Sequence, residues 1–238
     1  MKFIKLFSVL CLLLTGCASG KTNIPAPTQI EISSAPTNIS LLTKTAIPTL
    51  TSIPEPTPLN FSGKGDATLD VSAWPHTFGL ISYEGQSNKG FFAIVPYDEN
   101  NKSMSSICTV NTFDPYKGAC LFNSDGTYAT HLEIKTTGNW KIKISSLSQA
   151  SILTVPGAIE GIGNDVVVLA GGVPNLVTIT GNAKKQLFIL VPYKADGSKM
   201  ISLINTIDPY KNTVNIKSET AMIEIVATGS WSIAVASK

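Results

Sequence analysis

Two histidines, four cysteines and three tryptophans are the scarce chemistry-bearing residues of this 238-residue sequence. A Ser-His-carboxylate relay would have only His76 and His131 to draw on. Neither stands in a Gly-x-Ser-x-Gly elbow or a His-Glu-x-x-His pair, the contexts that align a nucleophile, a base or zinc ligands. His131 shares its strand phase with Glu133, which predicts a solvated residue on a wet face. No cysteine–histidine spacing suits a metal. Asp66 with Asp70, or Asp98 with Glu99, offers oxygen ligands of the kind Ca2+ takes, yet acids so placed commonly just solvate turns. The prediction is a non-enzyme with no cofactor and no metal site.

Cys108 and Cys120 flank Asp114-Pro115 nearly symmetrically. Neighbouring strands could present them to each other, and outside the cytoplasm a disulfide is permitted. Closing that loop would contribute on the order of 3 kcal/mol in the chain-entropy model. Two buried thiols are the alternative. Three aromatic residues are candidate ligand contacts. Trp74 sits in a predicted loop, where it could stack on a sugar face or instead form a lid over the end of the fold. Tyr116 and Tyr210 belong to a recurring Asp-Pro-Tyr-Lys, which could present them as amphipathic contacts or simply mark a turn.

That recurrence extends through the chain. Gly63-x-Gly65 returns as Gly161-x-Gly163, and Val95-Pro96-Tyr97 as Val191-Pro192-Tyr193. Asn111 to Lys117 returns as Asn205 to Lys211, and Thr137-Gly138-Asn139-Trp140 as Thr228-Gly229-Ser230-Trp231. The order is kept at offsets of 98, 96, 94 and 91 residues, the sign of a duplicated unit. Within each copy, apolar and polar residues alternate, as in Leu132-Glu133-Ile134-Lys135 and Ile223-Glu224-Ile225. That period predicts strands with one buried and one wet face. Trp140 and Trp231 fall in the buried phase. Short strands separated by Gly, Asn, Asp and Pro predict an all-β protein: two tandem antiparallel β-sandwich domains, jelly-roll or Greek-key in type, over 61–150 and 158–238.

The elements before residue 61 are of another kind. Residues 17–60 hold seven of the 14 prolines, are rich in Thr and Ser, and show no period. Such composition cannot bury enough surface to offset its ordering entropy and predicts a semi-extended linker. Ahead of it, Lys2 and Lys5 precede an apolar run from Leu6 to Leu14, the pattern of a secretory signal over 1–16. The run is too short for a permanent span, which needs about 20 residues. It ends in Leu14-Thr15-Gly16-Cys17, which resembles the lipobox of bacterial lipoproteins. The resemblance implies cleavage before Cys17, a diacylglycerol on its sulfur and an acylated amine. Such a group would anchor the protein to the cell membrane or the outer membrane, on the extracytoplasmic side.

Charge narrows the partners. Charged residues are 14% of the chain, and all 18 basic residues are Lys. Without its signal the chain balances 16 Lys against 16 acidic residues, and capture of nucleic acid is not expected of a neutral protein. The sandwich pattern is similar to accessory modules of bacterial secreted proteins, such as the pre-peptidase C-terminal type, which implies a binding or spacer role. The expected function is therefore non-catalytic binding of envelope polysaccharide or a partner protein. A structural spacer or assembly subunit of an envelope complex is the alternative, and an envelope hydrolase stands behind both.

Overall fold

The computed structural model describes residues 54–86, 91–104, 110–124, 126 and 128–238. The lipobox with Cys17, most of the predicted linker and Cys108 lie outside these residues. The first repeat comprises β1 (Leu59–Lys64), β2 (Ala67–Asp70), β3 (Gly79–Gln86), β4 (Phe92–Tyr97), β5 (Val110–Thr112), β6 (Tyr116–Phe122), β7 (His131–Thr136) and β8 (Asn139–Ser145). After a short 3-10 turn comes β9 (Ser151–Val155). The second repeat follows as β10 (Gly157–Ile162), β11 (Asp165–Gly171), β12 (Pro174–Gly181), β13 (Phe188–Tyr193), β14 (Ile204–Thr206), β15 (Tyr210–Asn215), β16 (Met222–Val226) and β17 (Ser230–Ser237).

The first repeat closes as two sheets ordered β1-β8-β3-β6 and β2-β7-β4-β5. The second repeats that order strand for strand, as β10-β17-β12-β15 and β11-β16-β13-β14. Two four-stranded sheets with this connectivity form a jelly roll, so the all-β sandwich class is met in both halves. β9 has no counterpart among the described residues of the first repeat. It extends the second repeat's sheet by pairing parallel to β11, where the sequence reading placed a boundary. β1 likewise begins at Leu59, inside the stretch read as linker. Ser52–Lys238 form one compact unit that contains both sandwiches.

Alternation along the strands builds the two cores. Phe92, Ile94, Ile134, Ile142 and Trp140 fill the first, and Phe188, Leu190, Ile225, Ile233 and Trp231 the second. The recurring Gly-x-Gly and Thr-Gly-x-Trp prove to be one device. Trp140 lies flat on Gly63, where an added Cβ would sit 2.4 Å from the indole. Its Nε1 donates to the Gly65 carbonyl at 2.9 Å. Gly65 adopts φ +79, a left-handed conformation that favours glycine, and its N–H donates to Gly138 O. Trp231, Gly161, Gly163 and Gly229 repeat each contact.

A third cluster joins the halves. Leu80 and Leu121, on the outer face of the β1-β8-β3-β6 sheet, pack against Val166, Val191, Tyr193 and Met222 of the second repeat. β6 is an edge strand, and its outward N–H groups need acceptors if buried. Ala119 N–H donates to Asn164 O at 3.0 Å, and Leu121 N–H to Glu224 Oε1 at 3.0 Å. Glu224 therefore departs from its sequence reading. Its strand alternates as expected, but the face expected to be wet is covered by the first repeat, leaving Glu224 only 1% exposed.

Candidate functional site

The structure places Trp74 in the first core, 2% exposed. Its indole lies over Gly79, whose added Cβ would stand 2.8 Å from the ring, and Nε1 donates to Thr77 O at 3.2 Å. The position corrects the expectation of a ring offered to a ligand: with its edge bonded and its face packed, Trp74 serves as the lid. The tyrosines of the repeated motif turn inward as well. Tyr116 stacks on buried Tyr83 at 5.8 Å and accepts from the Asn164 N–H at 3.4 Å. Burial pushes its hydroxyl up to about 12. Tyr210 packs at the edge of the second core. What the motif does expose is the residue before the Asp: Phe113 is 68% and Ile207 66% exposed. Each Asp N–H is held by the threonine two residues earlier, Asp114 by Thr112 and Asp208 by Thr206.

Cys120 is buried and disulfide-bonded; Cys108, its expected partner, lies outside the described residues. Both histidines stack on tyrosine rings. His131 stacks on Tyr97 at 5.1 Å and His76 on Tyr128 at 4.7 Å. The acids considered for Ca2+ hold backbone instead: Asp66 accepts from Thr136 N–H, Asp70 from Ser72, and Asp98 from Asn100 and Lys102. Among the described residues no cluster of three potential metal ligands occurs.

The open surface of interest lies on the outer face of the β1-β8-β3-β6 sheet, beyond the part covered by the second repeat. A shallow concavity of about 370 Å³ runs over this face, and a neighbouring one of about 580 Å³ shares Ser62, Glu84 and Lys141 with it. Strand register explains the lining. Ser62 pairs with Lys141, Lys141 with Glu84, and Glu84 with Lys117, so one row crosses all four strands. Lys143 stands two residues along β8 from Lys141, and Lys64 occupies the end of β1. Small side chains at Ser62, Ser82 and Gly118 leave the floor low. The ion pairs among the described residues are those of Lys135 with Asp66 and Glu133, on the other sheet. Four lysines thus face solvent or line the concavity around a single carboxylate.

The second repeat supplies the comparison. Its equivalent row reads Glu160, Ser232, Thr180 and Lys211, and the next reads Ala158, Ala234, Thr178 and Thr213. Ile162 stands where the first repeat has Lys64. The same fold is built there with one lysine and one carboxylate. Like charges gathered on one sheet face repel and do not favour folding, so the jelly roll does not call for the lysines.

No protein-family model matches the sequence, and no curated protein does. Among solved structures, the exported protein XepA of PBSX matches at 9% identity and a TM-score of 0.25, over 77% of this chain and 86% of that one. HutD from Pseudomonas fluorescens SBW25 matches at 9% identity and a TM-score of 0.22, over 76% of this chain and 78% of that one. Likenesses this faint carry no argument about function.

Proposed function

We propose that this protein is a lipid-anchored extracytoplasmic lipoprotein that binds envelope polysaccharide, without catalysis, through its first sandwich. The observation that carries the reading is the open, lysine-lined concavity on the β1-β8-β3-β6 sheet, built from residues the second sandwich lacks. A sheet face is long and shallow, which suits an extended chain better than a compact small molecule. The sequence supplies the remainder of the reading. The lipobox ending in Cys17 would hold the protein at a membrane, and the Pro- and Thr-rich linker would let the sandwiches reach into the surrounding layer. Resemblance to secreted accessory modules points to binding in the same way.

Two measurements test this. A soluble form beginning at Ser52 keeps both closed sandwiches and should co-sediment saturably with insoluble envelope polysaccharide. Absence of binding to every matrix would contradict the reading and favour the spacer role. In cells, Cys17→Ala should move the protein from the membrane fraction to the soluble fraction; unchanged fractionation would contradict the lipid anchor.

A further inference from the structure

Resting on that reading, we infer that the ligand is an anionic envelope polymer, bearing carboxylates or phosphodiesters along its chain, and that the first sandwich alone binds it. Three observations lead there. First, Lys64, Lys117, Lys141 and Lys143 converge on one face with Glu84 as their sole acidic neighbour in the lining. Secondly, strands stand about 4.8 Å apart and residues two apart on a strand about 7 Å. The lysines therefore form a charged field across and along the sheet rather than a single pocket for one small anion. Thirdly, the duplicated face keeps one lysine of the four, at Lys211, and places Glu160 on its row. The charge is a property of one copy and not of the fold.

The chemistry of lysine sharpens the inference. An ammonium on a flexible stem acts as a point charge, without the planar fork with which Arg reads the outline of a carboxylate or phosphate. With no Arg in the chain, the face selects density of negative charge more than the shape of the acid. Carboxylate and phosphodiester polymers should both bind, and the two arms of the experiment measure which binds tighter. The outer face of β2-β7-β4-β5 offers no such field: it bears Asp70 and Glu133, and its Lys135 is paired with Asp66 and Glu133.

The test is isothermal titration of the soluble form with polygalacturonate, with poly(glycerol phosphate) and with neutral dextran. Both anionic polymers should bind and dextran should not. Raising NaCl from about 50 to 300 mM should weaken binding about tenfold, because exposed charges are screened within a Debye length. Lys141→Gln should weaken binding about fivefold, the scale of one charge contact in water. Glu84→Gln should tighten it, a change of sign that mere damage to the fold would not produce. Lys211→Gln, on the second sandwich, should leave the affinity unchanged. Equal binding of dextran, unaffected by salt, would overturn the anionic assignment and leave polysaccharide binding standing. Failure of all three polymers would overturn both. Equal weakening by Lys211→Gln and Lys141→Gln would overturn the one-face assignment.

Discussion

Trp74 illustrates how a residue's neighbours decide its role. An indole in a loop is a familiar sugar platform, but this one spends its N–H on Thr77 O and its face on Gly79. Trp74→Ala should therefore cost stability, by about 3–5 kcal/mol as for other buried aromatics. Affinity of the folded fraction for polymer should stay unchanged. Urea denaturation paired with a binding isotherm checks both halves; loss of affinity at full folding would return Trp74 to the site. The lysines show the reverse case. Each of Lys64, Lys117, Lys141 and Lys143 reads in sequence as an ordinary wet position. They belong to three strands separated by loops, and only the register of β1, β8, β3 and β6 assembles them. A period within one strand says which face a residue occupies, not which residues of other strands share it.

At the scale of elements, the duplicated motifs were the most legible feature. Gly-x-Gly and Thr-Gly-x-Trp recur because they complete each other: the first glycine makes room for the indole, and the second accepts from it. Gly63→Ala or Gly161→Ala should destabilise by about 1–3 kcal/mol, the range for forcing atoms into a packed core. Chemical denaturation of each variant measures this, and a neutral substitution would contradict the packing described. Gly85 and Gly181 support Phe92 and Phe188 in the same way, a repeated pair not read from sequence because isolated glycines suggest turns. β9 was also missed. Its parallel pairing with β11 depends on a partner chosen in three dimensions, and Ser151–Val155 carry no signal for it. Asp-Pro did mark a bend at each copy, although the threonine before it supplies the hydrogen bond.

At the scale of the whole molecule, the seam between the sandwiches decides which faces remain open. The β1-β8-β3-β6 face of the first repeat meets the β11-β16-β13 face of the second. The equivalents of Val166, Val168 and Met222 in the first repeat are Thr68, Asp70 and His131, polar substitutes that leave that free face unsuited to a further copy. Such a head-to-tail contact could otherwise propagate. The buried Glu224 makes the seam sensitive to pH. Burial pushes its carboxyl up to about 7 from an ordinary 4.5, against the lowering influence of the Leu121 N–H, the Tyr193 hydroxyl and the charge of Lys199. The folded state thus holds this proton to a higher pH than the unfolded chain. Its contribution is full below pH 4.5 and is lost as pH rises through about 7. Relative to Glu224→Gln, the native protein should lose stability across that window, by at most about 3.5 kcal/mol for a shift of this size. Parallel stability curves for the two proteins would contradict the buried-carboxylate account.

The most direct test of the central claim is to see where the polymer sits. Amide resonances of the soluble form, followed by two-dimensional NMR during titration with oligogalacturonate, report every strand at once. The account predicts saturable shifts confined to 60–64, 82–86, 117–118 and 139–143 and to Gly163 and Asn164, which abut Lys117 and Ala119, with 166–238 and the surroundings of Trp74 unmoved. Shifts centred on Trp74, on the second sandwich, or spread evenly over all exposed lysines would contradict it.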